Sequence, residues 1–94
     1  MHVKWTRTAL ANLDEEAAYI AQHNPQAAAD MVEKIEKAVQ RLADFPTMGR
    51  PGRVPGTREL VVNETPYIVP YRVRGQMVHI LRVFHTARKW PSRL

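Results

Sequence analysis

The 94-residue chain has no cysteine, which excludes a disulfide scaffold, a thiolate nucleophile and any Cys-ligated zinc or iron–sulfur site. Its one serine, Ser92, lies in the C-terminal tail, so a serine-nucleophile triad has no candidate. Glycine is scarce, at four residues, and each falls in a turn rather than in a phosphate-cradling fingerprint. The longest apolar runs are a few residues, too short to span a membrane. The N-terminal Met1-His2-Val3-Lys4-Trp5 lacks an apolar core of signal-peptide length. These absences point to a cytoplasmic protein. The four histidines (His2, His23, His79 and His85) are scattered without metal-ligand spacing, so no metal or cofactor is expected.

Acidic residues are short in one half only. Residues 1–45 carry five Lys and Arg against seven Asp and Glu, whereas residues 46–94 carry nine against two, Glu59 and Glu64. Eight of those nine bases are arginine, the side chain suited to phosphate and carboxylate forks. So one-sided a distribution predicts an acidic partner, either nucleic acid or an acidic protein segment. The length allows a single domain, residues 1–94. With 45% hydrophobic and 24% charged residues, the composition is that of an ordinary globular protein.

Ten of eleven alanines precede residue 46 and seven of ten valines follow it, which predicts helices first and a sheet second. Val3 and Trp5 alternate with polar neighbours, enough for a short first strand. Thr6 or Thr8 can cap a helix in which Ala9, Leu10, Leu13, Ala17, Ile20 and Ala21 recur at helical spacing. Asp14, Glu15 and Glu16 are placed in its early turns, where they suit the positive end of the dipole. Asn24-Pro25 restarts the chain as a second helix. Its apolar stripe of Ala28, Met31, Val32, Ile35, Ala38, Val39, Leu42 and Phe45 runs until Pro46. Thr47 to Thr57 reads as a turn-rich loop. Three strands follow at 58–62, 67–73 and 77–84, separated by short turns. Pro70, which has no N–H to donate, must face a sheet edge or a bulge. The last strand is apolar on both faces, which places it inside the sheet. The expected fold is α+β: an N-terminal strand and an antiparallel helical hairpin packed on a C-terminal antiparallel sheet.

What remains for chemistry is a constellation of Arg50, Arg53, Arg58, Arg82, His85 and Arg88. Arg58 opens the first meander strand and Arg82 closes the third, so several arginines and His85 would converge on a concave basic face. Against that stands pairing of the arginines with Glu59, Glu64 or backbone carbonyls. His79 reads as a sheet residue. Trp90 suits a stacking platform for a base, although a tail tryptophan more often covers a core. The second helix is too long and too acidic for a recognition helix.

The stretch Arg53-Val54-Pro55-Gly56-Thr57-Arg58-Glu59-Leu60-Val61 resembles the loop-to-strand segment of the RelE/ParE toxins. Tyr67-Ile68-Val69-Pro70-Tyr71-Arg72-Val73 resembles their second meander strand, and Ile80 to Pro91 is similar to their closing V-x-H-x-x-R segment. Val3-Lys4-Trp5-Thr6 and the helix after it fit as well, so the resemblance spans nearly the whole chain. It implies the toxin of a type II toxin–antitoxin system, wrapped and neutralised by a cognate antitoxin, with plasmid stabilisation among the roles of such systems. RelE-like members cut messenger RNA on the ribosome, and for that activity Arg58, Arg82 and His85 are the catalytic candidates. ParE-like members poison DNA gyrase, and for them Arg50, Arg53, Arg58, Arg82, His85, Arg88 and Trp90 would bind the target. The 46–57 loop has arginines in place of a lysine pair, and a guanidinium is a poor general base. The tail has no tyrosine. Both departures, with the long second helix, bring the chain closer to ParE. A basic module that only docks an acidic peptide is the alternative from another class.

Overall fold

The computed structural model describes residues 1–87 and 94. Strand β1 (His2–Trp5) leads into helix α1 (Arg7–Ala21) and helix α2 (Pro25–Gln40), which ends in a 3₁₀ turn at Arg41–Ala43. Strands β2 (Arg50–Pro51), β3 (Arg58–Val61), β4 (Tyr67–Arg74), β5 (Met77–Ile80) and β6 (Phe84–His85) follow. The sheet order is β1-β5-β4-β3-β2, with β6 continuing the β5 side of β4. The expected helical hairpin on an antiparallel meander is present. β1 joins in parallel to β5, Val3 opposite Val78 and Trp5 opposite Ile80, so the whole sheet is mixed. The last meander strand does lie inside the sheet, between β1 and β4.

Thr6 connects two layers. Its hydroxyl oxygen accepts from the Ala9 N–H as the α1 cap, and its own proton goes to the Ile80 carbonyl at 2.7 Å. The cap at Thr6 starts α1 early, which places Asp14, Glu15 and Glu16 beyond the first turns, where the dipole acts little. Glu16 is instead buried. Asn24 caps α2 by accepting from the Ala27 N–H, with Pro25 at the first helical position. The stripe Met31, Ile35, Val39 and Leu42 packs on Leu60, Val69, Tyr71, Val78 and Ile80. Phe45, read as part of that stripe, is 57% exposed, because the switch to a 3₁₀ turn at Arg41 changes the phase of the face.

The expected 77–84 strand is two strands with a bulge between them. Tyr71 faces Ile80, but Ile68 faces Phe84, leaving one extra residue on the β5–β6 side. Pro70 sits beside this bulge: its carbonyl accepts from Leu81 N–H, and its missing N–H leaves the Leu81 carbonyl to Thr6 Oγ1. Among the described residues, no helix is long and apolar enough to cross a membrane.

Candidate functional site

Segment 47–57 closes around two buried side chains. Tyr71 is fully buried; its hydroxyl donates to the Pro46 carbonyl at 2.7 Å and accepts from Gly49 N–H at 2.9 Å. Gly49 has to be glycine here, since a Cβ would stand 2.6 Å from the Tyr71 ring. Burial raises the Tyr71 pKa above its usual value, against lesser lowering by Gly49 N–H and Arg58. The second anchor is Glu59, 2% exposed. Its carboxylate accepts from Arg50 Nε and Nη2, at 3.1 and 3.0 Å, and from the Arg53 backbone N–H at 2.9 Å. Arg53 Nε adds an ion pair at 3.7 Å. The Arg58 guanidinium donates to the Gly49 and Thr47 carbonyls at 2.8 and 3.2 Å. Three of the predicted arginines are therefore gathered at one end of the sheet, in the pairings with Glu59 and backbone carbonyls that the sequence left open. Arg50 and Arg53 still expose about half of their side chains, so Glu59 orients them without hiding them.

His85 stands at the opposite end. It faces Tyr67 across β4–β6, the two rings edge to face with centroids 5.4 Å apart. The buried Tyr67 hydroxyl donates to Glu16 Oε1 at 3.0 Å, tying this corner to α1. His85 Nδ1 accepts the Ala87 N–H at 3.1 Å, so a neutral imidazole in this arrangement carries its proton on Nε2. A general base needs a free lone pair, and here that lone pair is occupied. Arg82 lies in the bulge between the two ends. Its Nε is buried and has no hydrogen-bond partner among the described residues, while the residue as a whole is half-buried.

The expected convergence is thus partial. Arg58 lies opposite Tyr71 on one flank of β4, and His85 opposite Tyr67 on the other. Four residues along a strand are about 13 Å, and two strand spacings add about 10 Å across. The Arg58 guanidinium is bound to the Thr47–Gly49 backbone, so it does not close that distance. Arg88 and Trp90 lie outside the described residues.

Sequence reasoning missed a groove of about 660 Å³ beside His85, between the helical hairpin and the β3–β4 turn. Tyr19, Ile20, Met31, Pro66 and Tyr67 give it an apolar floor, with Asp30, Lys34 and Glu64 among its charged lining residues. Tyr19 is 60% exposed. Tyr19, an aromatic beside Ile20 of the α1 apolar stripe, was the available signal.

Residues 3–90 match the family described as ParE toxin of type II toxin-antitoxin system, parDE. A Sinorhizobium fredii protein named Y4kP, whose name carries a provisional toxin assignment, is 49% identical over 96% of this chain and 93% of its own length. Toxin RelE2 of Caulobacter vibrioides is 42% identical over 92% of this chain and 96% of its own. A solved structure titled as the chromosomal ParDE system from P. aeruginosa superposes with a TM-score of 0.80 at 36% identity, covering 90% of this chain and 95% of that one.

Proposed function

The chain belongs to the ParE toxin family of type II toxin–antitoxin systems, and on that premise we propose that it arrests bacterial growth by binding DNA gyrase in the cytoplasm. The observation that carries this reading is the separation of Arg58 from His85, with Nη1 of the one and Nδ1 of the other already engaged. A nuclease would need them around one scissile phosphate. A binding face has no such requirement: Arg50 and Arg53, oriented by Glu59 and half-exposed, serve as contacts, with Arg58, Arg82 and His85 in the same proposed set. Arg88 and Trp90 extend the same proposed contact set.

The cognate antitoxin is proposed to silence the toxin by laying an apolar segment into the groove floored by Tyr19, Ile20 and Met31. A segment with acidic flanks would also be drawn to the basic second half of the chain. The second reading, ribosome-dependent messenger RNA cleavage, is favoured by the name of the relative Toxin RelE2. Paired assays with purified toxin separate the two. Inhibition of gyrase supercoiling that added antitoxin relieves, without messenger RNA cleavage on ribosomes, supports the proposal; messenger RNA cleavage without gyrase inhibition overturns it.

A further inference from the structure

The helix-free face of the sheet carries a basic patch separate from every residue assigned above. Val3, Trp5, Val73, Val78 and Ile80 pack toward the helices, so alternation turns Lys4, Arg72 and His79 to the other face. Register then aligns them. Lys4 is opposite His79, and His79 is opposite Arg72, one row across three strands. The next row is His2, Met77 and Arg74. Lys4, His2 and Arg74 are exposed, and Arg72 and His79 are half-buried. Lys4 and Arg72 flank His79, two strand spacings or about 10 Å apart, with no carboxylate in the row. The carboxylate known on this face is Glu59, two strands from Lys4's neighbour β5, and it is already bound to Arg50 and Arg53. None of Lys4, Arg72 and Arg74 makes a side-chain hydrogen bond or ion pair among the described residues.

We infer that this face binds the phosphate backbone of duplex DNA, so that the toxin touches DNA itself as well as its protein partners. Strand spacings of about 4.8 Å across and about 6.8 Å along make the two rows a patch about 10 by 7 Å, enough to meet two or three phosphates of a duplex bearing a charge every ~1.7 Å of axis. β1 is an edge strand of the sheet, but the patch lies on the sheet's face, where its side chains stand perpendicular to that edge and meet a ligand laid across three strands rather than one added alongside β1. The patch contains no aromatic side chain, which removes the stacking platform that single strands use. Its permanently charged members, Lys4, Arg72 and Arg74, are donors only, which suits phosphate oxygens.

The test is binding of the full-length chain to a fluorescent duplex DNA of arbitrary sequence, measured against salt. The wild type should bind at low salt with a linear log–log dependence. Lys4→Ala/Arg72→Ala should lower that slope by about 2, one per lost phosphate contact. Lys37→Ala/Arg41→Ala removes the same charge from α2 and the 3₁₀ turn that follows it and should leave the slope unchanged. Circular dichroism confirms that both variants fold. Absence of binding at low salt, equal losses in the two double variants, or tighter binding of duplex RNA, single strands or polyglutamate than of DNA would each overturn the inference. None of these outcomes depends on whether gyrase is the target.

Discussion

Removing one oxygen atom from Tyr71 should loosen the arginine-bearing end of the sheet without touching an arginine. Tyr71→Phe keeps the ring, so no cavity opens against Ile80 or Val39. What is lost is a hydroxyl that accepts from the buried Gly49 N–H and donates to the Pro46 carbonyl. An unsatisfied buried donor costs about 1–3 kcal/mol, so about 2 kcal/mol is expected for the pair. In a domain of this size each kcal/mol moves the melting temperature by about 4–8 °C, which gives a fall of about 8–16 °C. Tyr19→Phe is the control, because Tyr19 is 60% exposed. Differential scanning fluorimetry reads the shift, and limited trypsin digestion below the melting temperature reads local opening at Arg53, since Pro51 shields the bond after Arg50. Gly49→Ala should be worse, since ring and backbone must both move away from the new Cβ. A Tyr71→Phe protein that loses no more than about 0.5 kcal/mol, the scatter of surface substitutions, would refute this account of the loop.

Glu59→Gln should lower the melting temperature and speed tryptic cleavage after Arg53, because a neutral amide cannot hold both guanidinium groups; an unchanged digestion pattern would contradict the clamp. Val39→Asp places an unpaired charge between α2 and the sheet, and loss of the cooperative melt is expected. His85→Gln should leave gyrase inhibition within a few-fold, whereas a nuclease would lose about a hundredfold or more. At alkaline pH the raised Tyr71 pKa means that the unfolded chain ionises first, so its stabilisation is intact below about pH 10 and fades above it. The alkaline drop in the urea midpoint should therefore be smaller in Tyr71→Phe.

Local rules made most of the fold legible. Caps, the α2 stripe and the β-branched runs each act over a few residues, and they mark both helices and the three meander strands, but not the bulge that splits 77–84 or the 3₁₀ end of α2. Three features depend on partners distant in sequence. The direction of β1 is set by Val3 and Trp5 packing beside Val78 and Ile80, information that four residues do not carry. β2 is two residues, one of them Pro51, and exists because Glu59 draws Arg50 alongside β3. Phe45 continues a perfect stripe on paper, but the chain has left the α-helical phase at Arg41.

The site was less legible than the fold, for an electrostatic reason. A count of arginines reports charge, whereas function depends on which of them have spent it. Glu59 reads as one acid in a basic stretch, yet burial makes it the partner that defines where Arg50 and Arg53 point. The carbonyls of Thr47 and Gly49 that engage Arg58 have no signature in the sequence. Conversely, Lys4 lies in the acidic half and Arg72 and His79 in separate strands, so no window of residues gathers them. The parallel β1–β5 pairing does, and it puts Lys4 in line with the basic half of the molecule. The cations held by Glu59 are therefore oriented ones, suited to a shaped protein surface, while the uncompensated row on the open face suits a ligand that supplies charge in series.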